Sequence, residues 1–267
     1  MKTLFLSAFI LVSIFSLVNF SNSTVSAESE TNSLELRVLT QPSIQIDVDS
    51  YVVFDIETGE IILSQNPDKE LPIASITKLF TAKKLLETDF NQKITITRED
   101  VETEGRAGKL SAGEEYEAKE LIFPLLLESS NDAATAIERN IGKITLADKT
   151  LFDGSGLSSR NKSTAKELSS EVRDIYKNLP YIFDVTTLKQ YVSDKNGWVN
   201  NSPVRDLEGY KGGKHGFTYE ANRTLVAVFS EKKLDNRELG YVLLGSDDLR
   251  SDVIKLRSLV EDSVRLE

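Results

Sequence analysis

The sequence contains no cysteine and a single histidine. The first absence excludes disulfides, thiol catalysis and cysteine-ligated zinc. The second excludes a histidine-rich metal site. It also leaves His215 as the only imidazole for a Ser-His-Asp arrangement, and no motif ties a serine to it. A Gly-x-Ser-x-Gly nucleophile elbow is missing as well, because Ser155 has flanking glycines at the wrong spacing. Positive charge is outnumbered: 32 Lys and Arg stand against 42 Asp and Glu, a formal net charge of −10. Nucleic acid and anionic membrane surfaces are poor partners for such a chain. No internal repeat or low-complexity block follows residue 48. A cysteine-free exported chain relies on its core instead of on bridges. The 267 residues, 40% hydrophobic and 28% charged, suffice for one large domain or two intertwined subdomains.

The N-terminus has its own character. Lys2 precedes an apolar run from Leu4 to Val18, then polar residues, then Val25-Ser26-Ala27. The pattern predicts a secretory signal over residues 1–27, cleaved after Ala27. The run is short for a membrane-spanning helix, which needs about 20 residues; left uncleaved, the segment would act as an anchor. Its one charge is Lys2, so its removal takes the net charge from −10 to −11. Residues 28–48, polar and then mixed, read as a tether, and residues 49–267 as the functional domain, exported and extracytoplasmic.

Within the domain, Tyr51–Ile56 and Glu60–Leu63 read as two strands around the turn Glu57-Thr58-Gly59. Leu79, Ala82, Leu85 and Leu86 recur at helical spacing. Glu117–Glu128 carries an apolar face and predicts a helix despite Pro124, and Asp132–Ile141 predicts the next. Phe152–Leu157 is a turn. Ser163 or Thr164 caps a helix running to about Leu179. Strand patterns return over Gly209–Thr218, Arg223–Ser230 and Glu238–Leu244, and Ser246-Asp247-Asp248 caps a closing helix. Strands at both ends with helices between them predict an α+β domain built on one antiparallel sheet.

Three constellations carry chemistry. Ser75 and Lys78 lie three apart at a helix start and share a face. A serine needs a base, and a lysine serves if its pKa is lowered. The Ser-x-x-Lys spacing also occurs at Ser159/Lys162, Ser163/Lys166 and Ser230/Lys233. The second constellation is Ser129-Ser130-Asn131, between two apolar helices, with a competing Ser-x-Asn at Ser159/Asn161. The bland alternative is simple capping of the following helix. The third is Lys214-His215-Gly216-Phe217-Thr218, inside a strand, where Gly216 admits close backbone approach. Lys195-Asn196-Gly197 and Lys211-Gly212-Gly213 share its form. The bland alternative there is an edge strand with a solvated lysine.

In this order the three match Ser-x-x-Lys, Ser-x-Asn and Lys-Thr-Gly. The chain resembles the serine-type D-alanyl-D-alanine carboxypeptidases, the low-molecular-mass penicillin-binding proteins. The likeness runs over roughly residues 50–248 and includes "ASITKLFTAKKLLE", "LLLESSNDAATAIE" and "KGGKHGFT". It implies the β-lactamase/transpeptidase-like fold, an antiparallel sheet flanked by helices plus a helical subdomain, with the site between them. It implies that Ser75 attacks the terminal D-Ala-D-Ala carbonyl of a peptidoglycan stem peptide and that Lys78 takes its proton. Ser129 would relay a proton to the leaving amine, and Asn131 would hold the substrate amide. Lys214 would set the electrostatics and help bind the terminal carboxylate. The N–H groups of Ser75 and Phe217 would form the oxyanion hole, with Thr218 continuing the strand beside the substrate. β-Lactams would inhibit, and no cofactor is implied.

The chain departs from the family in three places. His215 stands where a threonine hydroxyl would bind the substrate carboxylate; if imidazole replaces it, affinity improves as pH falls through a pKa that nearby Lys214 lowers, and the bland alternative is that His215 faces away from the cleft. The stretch from Asn131 to Phe152 is shorter than in the family. The sequence also runs only one helix beyond "LLGS", without the C-terminal β-domain and membrane anchor of many relatives. Two alternatives share the fold: a β-lactamase, and a catalytically weak cell-wall binding protein. A class A β-lactamase needs a Glu-x-x-Leu-Asn glutamate. Of Glu138, Glu167, Glu171 and Glu208, none has Asn four residues on.

Overall fold

A computed structural model describes residues 36–39, 46–88, 90–105 and 107–266. The expected signal segment lies outside these residues. Five antiparallel strands form the main sheet: β1 (Ser50–Asp55), β2 (Ile61–Gln65), β3 (Tyr210–Thr218), β4 (Asn222–Glu231) and β5 (Arg237–Ser246). Their order is β3-β4-β5-β1-β2. The strands from the two ends of the chain meet at β5 and β1, with Val242 opposite Val52. β3 is therefore an edge, and an edge strand keeps a row of N–H and C=O groups outside the sheet's own ladder.

Side chains alternate between two cores, as period-two geometry requires. Val52, Phe54, Val226, Val228, Val242 and Leu244 face one apolar cluster. Tyr51, Val53, Leu225, Ala227, Phe229, Tyr241 and Leu243 face the other. The first cluster also takes residues of α1 (Thr77–Glu87), α2 (Ala118–Leu127), α3 (Asn131–Ile141), α4 (Ala165–Asn178) and α5 (Pro180–Thr187). The second is closed by Val253, Leu256 and Val260 of α6 (Leu249–Ser263). Each fully buried aliphatic contributes about 1.5–3 kcal/mol, so both faces of the sheet are held. The α+β architecture expected from the sequence is the one observed.

Local choices follow from named residues. Ser130 caps α3 by accepting from Ala133 N, Thr164 caps α4 by accepting from Glu167 N, and Asp248 caps α6 by accepting from Ser251 N. α2 tolerates Pro124 inside it and starts with a reciprocal Glu117–Glu120 capping box.

Three readings differ from the structure. The tether expected over 28–48 is partly docked: Leu36–Val38 pairs antiparallel with Val264–Leu266, and Ile46 and Val48 are buried in the second cluster. The helix expected to run to about Leu179 does so, ending at Asn178, but an unexpected helix, α5, follows with Pro180 at its first position. Ser75 sits not in the α-helix but in the 3₁₀ turn Ala74–Ile76 that precedes it.

Candidate active site

The turn that carries Ser75 is under strain. Ala74 has φ +45°, a left-handed conformation that costs a side-chain-bearing residue of order 1–3 kcal/mol. Ser129, across the cleft, has φ +59°. Two glycines press on the Ser75 turn. A Cβ on Gly156, itself at φ +85°, would stand 1.9 Å from Ala74 O, and one on Gly216 would stand 2.4 Å from Ser75 N. Any other residue at either position would push the turn out of place.

Lys78, one turn on in α1, is wholly buried. Its Nζ lies 3.0 Å from Ser75 Oγ and donates to Asn131 Oδ1 and Ser155 O, each at 2.7 Å. Burial pulls its pKa down to about 7, against the opposing pull of Asp153 and Asp132. A neutral amine has two N–H donors and one lone pair. Here the donors are taken by Asn131 and Ser155, so the lone pair is left for the Ser75 hydroxyl.

Lys214, on β3, is also buried. Its Nζ donates to Ser129 Oγ at 2.9 Å and to His215 O at 2.7 Å. Burial, reinforced by repulsion from Lys78, holds its pKa well below the usual lysine range. Asn131 is fixed at both ends, since its Nδ2 donates to Glu104 O at 2.8 Å.

A cleft of about 360 Å³ opens above these groups, walled by Ser75, Ser129, Asn131, His215, Phe217 and Thr218. Lys78 and Lys214 lie beneath it, bonded to its two serines. All eight residues expected from the sequence are thus brought together. Thr218 is partly committed, because its hydroxyl accepts from Ala221 N.

The competing motifs end elsewhere. Ser163 donates to Glu167 and Lys166 pairs with Asp68, while Ser230 donates to Asn236 O and Lys233 pairs with Glu261. Lys162 is exposed. Asn161 is a buried brace that accepts from Phe152 N and donates to Asp153 O. Lys195 bonds Glu115 O, and Lys211 pairs with Glu238.

Sequence reasoning missed the loop that serves Lys78. Asp153 accepts from the N–H groups of Ser155, Gly156 and Ser158 and from the Ser155 hydroxyl. Burial would raise its pKa, but these hydrogen bonds outweigh burial and hold it below the usual carboxylate value. The result is a rigid turn that aims Ser155 O at Lys78. The signal was the run Asp153-Gly154-Ser155-Gly156, which reads as a turn and not as part of a site.

Protonation of His215 is opposed more strongly than Lys214 alone implies. Burial, with Lys214 and Lys78 nearby, pushes its pKa down to about 3. The imidazole is neutral across ordinary pH, so no gain in affinity comes from its protonation near neutrality.

The D-alanyl-D-alanine carboxypeptidase (peptidase S11) family profile matches residues 37–143. A D-alanyl-D-alanine endopeptidase of Haemophilus influenzae is 30% identical over 224 residues, which span 74% of this chain and 75% of that relative. The chain belongs to the D-alanyl-D-alanine carboxypeptidase family. This membership makes it a D-Ala-D-Ala peptidase by descent. Solved structures show the same fold at lower identity. A D-alanyl-D-alanine carboxypeptidase from Mycobacterium tuberculosis H37Rv superposes with a TM-score of 0.73 at 23% identity, covering 84% of this chain and 95% of that one. Penicillin-binding protein D2 from Listeria monocytogenes, in a cefotaxime-bound form, gives 0.70 at 22% identity, covering 82% and 99%.

Proposed function

We propose that the protein cleaves the terminal D-Ala-D-Ala bond of peptidoglycan stem peptides through an acyl-enzyme on Ser75. The observation that carries this reading is the buried Lys78 amine, with a pKa of about 7, set 3.0 Å from Ser75 Oγ. Neutral Lys78 takes the hydroxyl proton as Ser75 Oγ attacks the carbonyl carbon. The oxyanion that forms is received by the N–H groups of Ser75 and of Phe217 on the edge strand. Such donors are worth about 10²–10³ in rate each. Ser129, held by Lys214 at 2.9 Å, passes a proton to the leaving amine. Asn131 holds the substrate amide. Water then attacks the acyl carbon, releases the shortened peptide and restores Ser75.

Release of a terminal D-Ala is carboxypeptidase action. Endopeptidase action on a cross-linked peptide is the second reading, favoured by the name of the Haemophilus influenzae relative. β-Lactams would acylate Ser75 and stay. The glutamates a β-lactamase would need are committed away from the cleft: Glu138 accepts from Gly154 N, and Glu167 from Ser163 and Lys149. The N-terminal segment supports export with action outside the cytoplasmic membrane, residues 1–27 being the signal. Among the described residues no helix is long and apolar enough to cross a membrane.

The test is labelled penicillin followed by mass spectrometry. The adduct is expected on Ser75, absent in Ser75→Ala, and released slowly. An adduct on Ser159, Ser163 or Ser230 overturns the nucleophile. Many turnovers per second replace this reading with a β-lactamase.

A further inference from the structure

One wall of the cleft is a loop. Glu104 and Gly105 line it, and Glu104 O accepts from Asn131 Nδ2 at 2.8 Å. Further along, the same loop is fastened to the start of α3. Gly108 N donates to Asp132 Oδ1 at 2.9 Å, and Ala107 N donates to the same oxygen at 3.3 Å. Gly108 O accepts from Trp198 Nε1 at 2.6 Å. The approach leaves no room for a side chain. A Cβ on Gly108 would stand 2.5 Å from Ser130 Oγ and 2.8 Å from Asp132 Oδ1.

Asp132 is wholly buried. Its Oδ1 also accepts from the Ser130 hydroxyl. Its Oδ2 is buried too and, among the described residues, has no hydrogen-bond partner. No cation among those residues pairs with it. A buried carboxylate without a counter-charge is costly. Capping α3 does not require it, because Ser130 Oγ already accepts from Ala133 N at 2.9 Å. The three donors on Oδ1 and the positive end of α3 favour its negative charge.

We infer that Asp132 is a positioning residue for the reaction at Ser75: its carboxylate clamps the loop bearing Glu104 and Gly108 onto the Ser129-Ser130-Asn131 turn, and sets near Lys78 a negative charge that no cation cancels. The inference rests on the peptidase reading of the Ser75 cleft. The clamp holds Glu104 O in place, Glu104 O holds Asn131, and Asn131 Oδ1 holds Lys78 Nζ at 2.7 Å. The charge acts on the same amine. Burial draws the Lys78 pKa down to about 7, while Asp153 and then Asp132 pull it up. The other titratable groups facing it are Lys214 and His215 on β3, whose pKa values burial lowers, and Glu104 on the loop. Asp132 thus keeps Lys78 basic enough to take the Ser75 proton.

The test separates the charge from the clamp. Acylation of Ser75 by labelled penicillin is timed from pH 5 to 9 in the parent, Asp132→Asn and Gly108→Ala. Asp132→Asn keeps an oxygen for Gly108 N and loses the charge. Its rate at high pH is expected within about threefold of the parent's, while the acid limb of its profile moves to lower pH by at least about half a unit. Gly108→Ala keeps the charge and pushes the loop off Asp132. It is expected to acylate about 10–100-fold more slowly, with its acid limb where the parent has it. An Asp132→Asn limb that coincides with the parent's, or a Gly108→Ala rate equal to the parent's, overturns the role of Asp132 and leaves Ser75 untouched. Asp132→Asn protein that does not fold, judged by thermal unfolding, assigns the residue to stability alone and overturns the role too. No adduct on Ser75 in the parent at any pH overturns the peptidase reading and this inference with it.

Discussion

Buried charge on the two sides of the sheet is handled in opposite ways at Glu231 and at the two cleft lysines. On the α6 side, Glu231 is 1% exposed and receives two bonds from Arg257, at 2.9 Å each, and one from the Tyr241 hydroxyl at 2.7 Å. Every charge there has its counter-charge. On the cleft side, Lys78 and Lys214 are just as buried, yet among the described residues neither forms an ion pair; their partners are hydroxyl, amide and carbonyl oxygens. Burial with a partner keeps a group ionised. Burial without one drives the amine toward its neutral form. The first arrangement makes structure, and the second supplies the neutral amine that the proposed acylation of Ser75 needs.

Removing Lys78 strains this contrast most. Lys78→Met should lower the rate of penicillin acylation by about 10²–10⁴, measured with a fluorescent penicillin. It should also stabilise the fold. The Lys78 pKa falls from 10.5 to about 7 on folding, so the unfolded chain binds more protons between those values. Stability is therefore lost as pH falls from 10.5 to 7, and the loss is complete below 7. Against this stand the hydrogen bonds given up to Asn131 and Ser155. Thermal unfolding at pH 7 should favour Lys78→Met by about 1–3 kcal/mol, with the advantage shrinking toward pH 10. A variant less stable than the parent at pH 7 would put Lys78 in the same class as Arg257.

Glu231→Ala probes the other face. It strands the Arg257 guanidinium and should cost about 3–5 kcal/mol in urea unfolding. The folded variant should still acylate Ser75 at the parent rate. Lost acylation in folded protein would mean that the two faces are coupled.

The smallest effect belongs to His215. With its pKa at about 3, its charge is constant from pH 5 to 9. Peptide affinity in the native protein and in His215→Thr should follow parallel pH profiles over that range. Affinity that rises on the acid side in the native protein alone would show that the imidazole titrates near neutrality.

The sequence carried the parts of the site that depend on residue type and spacing. Ser75 and Lys78 were legible because helical geometry brings residues three apart together, and Ser129, Asn131 and Lys214 because their blocks come in a fixed order. The strands were legible from alternation, and α2 from an apolar face strong enough to outweigh Pro124. What stayed hidden was non-local or made of backbone. Ser155 reaches Lys78 through a carbonyl oxygen, and every residue has one. Leu36–Val38 finds its partner at the opposite end of the chain, through three-residue strands with no pattern of their own. The opposition of Lys214 to His215 protonation was legible, but the depth of the shift was not, because it depends mostly on what folds over the ring. α5 was missed because Leu179-Pro180 reads as a stop, whereas proline at a first helical position is also a start.

The two glycines against the Ser75 turn bear on how this enzyme can be remodelled. Gly156 and Gly216 come from separate loops and strands, and both are closed to every other side chain by backbone atoms of Ala74 and Ser75. The inner wall of the cleft is therefore fixed by contacts that no neighbouring substitution can retune. Freedom to vary lies outward, at Phe217, 52% exposed, and Tyr219, 94% exposed, with Arg223 beside them. A library built to change which peptide is cut should leave the floor alone and randomise that rim.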